Sequence, residues 1–304
     1  MLTPDLHDAI ARHIAEGTGS AFAPGDCLPL GGAPTQRTCR LDDARGKQAW
    51  FIKWNDAGQR SRLEAEADGL EAIARSASFR TPLCLGVIST DTHAALILEY
   101  LDLQPLRTAA DGTRFAEALA TLHGVTGPRF GWHRDNFCGP TPQSNAESDN
   151  WALFFARQRL HPQFEFARLA GFGNELYRDG TRLMDRVAAL YLDYRPQPSL
   201  LHGDLWHGNA AVLPDGEPVV FDPACHFGDH ESDLAMAELF GGFPQSFYVR
   251  YRQLRPLNVD FELRKPLYSL YHILNHLNLF GRGYLREAMR LVARLNDHLS
   301  LNGQ

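Results

Sequence analysis

The sequence predicts an α+β fold of two lobes: a small β-rich N-terminal lobe with one inserted helix, and a larger, mainly α-helical C-terminal lobe. Three observations carry that expectation. Short strand-like runs separated by turn residues fill the first hundred positions. Helical periodicity dominates after Leu101. The chain has 304 residues, 44% hydrophobic and 22% charged, enough for one large globular unit or two small ones and unlike a disordered chain. The lobes are placed at residues 1–100 and 101–304, with the join near Glu99-Tyr100-Leu101.

The elements follow in order. Thr3 and Pro4 open a helix whose apolar residues Leu6, Ile10 and Ile14 recur every four positions. Arg37–Leu41 and Ala49–Trp54 read as an antiparallel hairpin around the polar turn Asp42–Lys47. Arg60–Ala74 is helical by period, and Thr81–Ser89 and His93–Leu101 are strands. Beyond the join, helices are expected over 114–123, 151–170, 174–194, 232–239, 244–254, 261–280 and 283–299. Three strand-like pieces interrupt them at 199–202, 210–213 and 219–221. Residues 128–150 show no period and are expected to be a functional or inserted loop.

Composition narrows the function. The formal charge of −6 disfavours sequence-independent nucleic-acid binding, which needs Lys and Arg to neutralise phosphates. No run approaches a membrane span, and no basic patch leads into an apolar run at the N-terminus, so a cytoplasmic protein without a membrane or obligate protein partner is expected. The five cysteines are odd in number and none are spaced C-x-x-C, which argues against a disulfide framework or a zinc motif. Of 30 basic residues only Lys47, Lys53 and Lys265 are lysines.

The densest chemistry lies in His202-Gly203-Asp204-Leu205-Trp206-His207-Gly208-Asn209, followed by Val219-Val220-Phe221-Asp222. Two acids and an amide at strand ends are hard oxygen ligands that suit Mg²⁺ and a phosphorylated substrate. Their spacing matches the phosphotransfer pattern H-x-D-x-x-x-x-N followed by a metal-binding Asp. Asp204 is then the base for the attacking hydroxyl, and Asn209 and Asp222 hold the metal. Lys53 ends an apolar strand in a chain that otherwise prefers Arg, which points to a point-charge role toward ATP phosphates. On the following helix Leu63, Glu66, Leu70 and Ile73 share one face, so Glu66 is the carboxylate expected to turn inward and pair with Lys53. Gly31 and Gly32 stand between the first two strands, where a nucleotide-covering loop belongs. Glu99 and Leu101 stand where backbone would meet the adenine edge.

These residues resemble the fructosamine kinase, or ketosamine-3-kinase, family of the aminoglycoside-phosphotransferase-like branch of the protein-kinase-like superfamily. The resemblance runs from about Ala21 to Arg294. It rests on Leu30-Gly31-Gly32, Phe51-Ile52-Lys53, Glu66-Ala67-x-Gly69-Leu70 and the stretch from Trp151 to Leu160. It is strongest in the segment around Asp204 and in Phe221-Asp222-Pro223-Ala224 through Gly228-Asp229-x-Glu231-x-Asp233, and it ends with Asn275-His276 and Phe280-Gly281. It implies a bilobal protein-kinase-like fold and ATP- and Mg²⁺-dependent phosphorylation of the 3-hydroxyl of a ketosamine, leading to deglycation. It also implies that Trp206 stacks on the sugar. His207 stands where the family more often has a small residue, and Ala33 where some members carry a redox-sensitive Cys.

Asp222 is followed by Pro223, and ten residues separate it from Ser232, which leaves no room for a long activation loop. The acceptor is therefore expected to be small, or an adduct protruding from a larger molecule. Asp229 or Glu231 is expected to meet its cationic amine, with Arg159, Asn275 and His276 as further lining candidates. Asp233 is expected to brace its own helix, and His202 to be a structural hydrogen-bonder. A kinase for another hydroxylated amine, such as an aminoglycoside, and a nucleotide-binding module without turnover are the competing readings.

Overall fold

The computed structural model describes residues 2–31, 37–46 and 48–301. Gly32 and Ala33 lie outside them. The first lobe is a five-stranded antiparallel sheet in the order β1-β2-β3-β5-β4. The strands are β1 (Pro24–Pro29), β2 (Arg37–Asp43), β3 (Ala49–Asp56), β4 (Cys84–Ser89) and β5 (His93–Glu99). Helix α1 (Pro4–Thr18) precedes them and α2 (Arg60–Arg75) is inserted between β3 and β4.

Strand alternation divides this sheet between the two helices. Trp50, Ile52 and Trp54 of β3 and Ala95 and Ile97 of β5 pack with Leu6, Ile10 and Ile14 of α1. Ala94, Leu96 and Leu98 of β5 pack with Leu63 and Leu70 of α2, and Phe51 joins them. Lys53 has the parity of Phe51, so the same alternation that buries the tryptophans under α1 sends the ammonium toward α2.

The second lobe is mainly helical. It comprises α3 (Ala109–Leu122), α4 (Trp151–Phe154), α5 (His161–Leu169), α6 (Asn174–Met184), α7 (Glu231–Leu239), α8 (Gln245–Leu254), α9 (Phe261–Phe280) and α10 (Leu285–Leu301). A π-helical turn, Phe155–Leu160, joins α4 to α5. The span expected to be helical over 174–194 is α6 followed by a short 3₁₀ turn, Val187–Tyr191. The segment 128–150 is not wholly irregular: it holds the small hairpin β6 (Asn136–Cys138) and β7 (Thr141–Gln143). Asn136-Phe137-Cys138 and Thr141-Pro142-Gln143 hold no apolar run to mark them as strands, unlike the equally short pieces read at 199–202, 210–213 and 219–221.

Two further ribbons carry the chemistry. Strand β8 (Ser199–Leu201) pairs with β11 (His226–Gly228), and β9 (Ala210–Val212) with β10 (Pro218–Val220). Isolated bridges Arg80–Val219 and Gln104–Val212 tie the β9–β10 ribbon to the first lobe and its exit. Among the described residues no helix is long and apolar enough to cross a membrane.

Candidate active site

The loop from His202 to Asn209 leaves β8, makes a 3₁₀ turn over His207–Asn209 and enters β9. Gly203 turns it. Its φ is +82°, and a Cβ there would stand 2.2 Å from the Ala224 carbonyl oxygen, so only glycine fits. The loop is held from behind by Asp233 in the first turn of α7. Asp233 accepts from His202 N at 2.8 Å, Gly203 N at 2.9 Å and His123 Nε2 at 3.1 Å. Asp233 thus braces the loop more than its own helix. His202 Nε2 in turn donates to Phe221 O at 3.1 Å, coupling this loop to the one that bears Asp222.

Asp222 follows β10 with φ +55°, an uncommon conformation for a side-chain-bearing residue. It is ion-paired with Lys53, whose Nζ also donates to Glu66 Oε1 at 2.5 Å. Lys53 is 4% exposed. Burial opposes its charge, yet Asp222 and Glu66 together hold the ammonium above its ordinary value. Close approach of α2 makes this triad possible. A Cβ on Gly69 would come within 2.9 Å of the Pro223 ring, so glycine lets the helix settle on the residue after Asp222.

Asp204 lines the same cavity as Glu66 and Asp222. Asn209 Nδ2 donates to its backbone oxygen at 2.9 Å and to Oδ2 at 3.2 Å. Burial first, and then the Asp222 charge, push the Asp204 carboxyl up to about 7. The donor set fits a hard divalent cation: a carboxylate at Asp222 and an amide oxygen at Asn209, whose nitrogen is committed to Asp204. A cation there would also quench the repulsion between the two aspartates.

A cavity of about 350 Å³ opens on these groups. Glu66, Asp204, Asn209 and Asp222 line it together with Trp206, Asn275, His276 and Phe280. The β6–β7 hairpin contributes Asn136–Pro140 to the lining. Arg62 also lines it, a residue that sequence reasoning passed over although it stands one turn before Glu66. The indole of Trp206 contacts His207 and Phe240, and His276 continues the aromatic wall against Phe240, Phe280 and Tyr284. His207 Nδ1 donates to Phe240 O at 2.7 Å and so fastens the Trp206 loop to the end of α7.

Several expected residues lie elsewhere. Asp229 and Glu231 are both 0% exposed and do not line the cavity. Tyr194 and Tyr268 donate to Asp229 at 2.9 and 2.6 Å, and Glu231 is bidentate to Arg264 at 2.8 and 2.9 Å. Their valences are filled inside the lobe, so neither can meet an acceptor amine. Both are corrected to structural anchors for the start of α7. Arg159 is buried against Phe154 and donates to Ser144 O and Asn145 Oδ1, away from the cavity. Gly31 is exposed, Glu99 pairs with Arg80, and Leu101 is half-buried past β5. None of these three lines the cavity.

The chain is 43% identical over 295 residues to a probable ketoamine kinase of Synechocystis sp., covering 95% of this chain and 97% of the relative. It is 37% identical over 256 residues to the chloroplastic protein-ribulosamine 3-kinase of Arabidopsis thaliana, covering 83% of this chain and 77% of that one. A crystal structure of a candidate fructosamine-3-kinase from Haemophilus somnus superposes with a TM-score of 0.86 at 32% identity, over 94% of this chain and 96% of the other. The fructosamine kinase family model matches residues 6–298, and this chain, a kinase of bilobal protein-kinase-like fold, belongs to that family.

Proposed function

We propose that this kinase transfers the γ-phosphoryl group of ATP to the 3-hydroxyl of a ketosamine, a ribulosamine or fructosamine on a protein lysine or a free amine. The 3-phosphate adduct then breaks down and releases the amine, which is deglycation. One observation carries the reading: Asp204, Asn209, Asp222 and Glu66, the partner of Lys53, line one cavity together with the aromatic set Trp206, His276 and Phe280. The relatives named as ketoamine and ribulosamine kinases support the acceptor class.

In this reading Lys53, steadied by Glu66, carries fixed positive charge toward the α/β-phosphates. Asn209 and Asp222 hold Mg²⁺, which neutralises phosphate charge when bound. Asp204 accepts the proton of the sugar hydroxyl as that oxygen takes the phosphoryl group, and ADP leaves. Its position in the cavity lining orients the hydroxyl, and its raised affinity for protons suits the task. Trp206 offers an apolar face to the sugar ring. With Asp229 and Glu231 enclosed, the acceptor's amine is left to the cavity's own lining.

ADP release with Mg·ATP, measured on ribulose-lysine, fructose-lysine and kanamycin, tests this. Turnover with either lysine adduct and none with kanamycin is expected. Turnover confined to the antibiotic would refute the ketosamine assignment. Tight ATP binding without turnover on any of them would make the chain a nucleotide-binding module.

A further inference from the structure

At the edge of the cavity, three ligating atoms that phosphoryl transfer does not use together come close: Cys138 and Asp204 line it, and His272 stands behind them. Cys138 Sγ, an Asp204 carboxylate oxygen and a His272 ring nitrogen all lie within 4.8 Å of one another. They come from three separate elements: the end of β6, the loop after β8, and the middle of α9. Cys138 is 2% exposed and His272 5%. His272 Nδ1 has no hydrogen-bond partner and stands 3.9 Å from Asp204 Oδ1. A buried ring nitrogen without a partner is costly, and a bound ion is one way in which a protein satisfies it.

We propose that Cys138, Asp204 and His272 form a binding site for zinc or a similar borderline-soft divalent cation, and that its occupancy stops the kinase by capturing Asp204. Thiolate, imidazole and carboxylate together select such an ion, whereas Mg²⁺ takes oxygen ligands and is left to Asn209 and Asp222. Bond lengths of about 2.0–2.3 Å require the three donors to close by about an ångström, within reach of side-chain adjustment. Burial keeps the His272 ring neutral, so its lone pair is available. Burial also holds Cys138 as a thiol in the metal-free protein, so binding must release its proton to water through the cavity. The cavity reaches both Cys138 and Asp204, which gives the ion an entry path.

The binding half stands on this geometry alone. The inhibitory half rests on the proposed role of Asp204 as base, and the two are separated by experiment. Co²⁺ titrated into the full chain is expected to give a thiolate-to-cobalt charge-transfer band at one equivalent, displaced by Zn²⁺. Cys138→Ser should abolish the band, and His272→Gln should weaken binding by more than roughly tenfold. A band that persists in Cys138→Ser comes from another thiol and overturns the site. Should that variant fail to fold, X-ray absorption of the zinc-loaded unchanged protein should show one sulfur neighbour, and a shell without sulfur overturns the site equally. Zn²⁺ at saturating Mg·ATP should then suppress ADP release reversibly, with chelation restoring it. Full turnover with the cobalt band present overturns the inhibitory half alone.

Discussion

Asp204 is held where it is useful by groups that leave its chemistry free. Asn209 donates one hydrogen bond to the carboxylate and one to the backbone oxygen of Asp204, and the loop beneath it hangs from Asp233 through two backbone amides. Removing the proton acceptor without removing the geometry isolates its role. Asp204→Asn keeps the size and one oxygen, so ATP affinity should stay within a few-fold, because the base acts in the chemical step and not in nucleotide binding. Turnover should fall by about 10²- to 10⁴-fold, the span typical of lost acid–base catalysis. Steady-state ADP release set beside equilibrium ATP binding reads both. A large loss of nucleotide affinity with turnover nearly kept would remove Asp204 from the base position.

At the scale of the element, the site depends on how closely α2 approaches the Asp222 loop. Gly69 faces Pro223, and in Gly69→Ala the new methyl would lie 2.9 Å from a rigid ring. Alanine is the better helix former by about 1 kcal/mol, so α2 itself gains while its packing suffers. The helix should lift by a few tenths of an ångström and carry Glu66 away from Lys53. Turnover should drop, up to about 10²-fold as for small misplacements of positioning groups, with little change in helical circular dichroism. Wild-type turnover in Gly69→Ala would show that the contact does not set the triad. Sequence exposed much of this element: the spacing of Leu63, Glu66, Leu70 and Ile73 at i, i+3, i+7 and i+10 put Glu66 on the inner face, where it pairs with Lys53. It did not expose Asp68. That residue lies off the face shared by Leu63, Glu66, Leu70 and Ile73, yet it accepts from Trp132 Nε1 at 2.7 Å and His133 Nε2 at 3.0 Å. Helical period reports which way a side chain points on its own helix. It is silent about a loop sixty residues on that comes to cover it. For the same reason Asp229 and Glu231 read as free acids when their partners, Tyr194, Tyr268 and Arg264, lie outside their own helix.

Across the whole molecule, the second lobe encloses several neutral histidines, and this sets how it responds to acid. His226 is the clearest case. Its ring stacks against Trp151 and Phe154, and its Nδ1 donates to Ala224 O at 3.0 Å. Burial, and then the nearby Arg159 charge, lower its pKa to about 3. In the unfolded chain a histidine protonates near 6.5, so on acidification the unfolded state takes up the proton first. The stability that neutral His226 provides is therefore full above about pH 6.5 and is lost progressively as pH falls toward the folded value. At about pH 5 the loss from this one residue is about 2 kcal/mol. Buried carboxyls whose pKa is raised, such as Asp204 and Glu231, act in the opposite sense over the same range, so the net curve does not isolate the histidine. A difference between proteins does. Asn places an amide N–H near the position of Nδ1–H but cannot take up a proton, so His226→Asn should lower stability at pH 7.5 through lost packing. Between pH 7.5 and 5 its urea midpoint should fall less, or rise more, than that of the unchanged protein, by the equivalent of about 2 kcal/mol. Parallel pH profiles for the two proteins would mean that His226 takes up its proton at the same pH in the folded lobe as in the unfolded chain, and that burial does not hold it neutral.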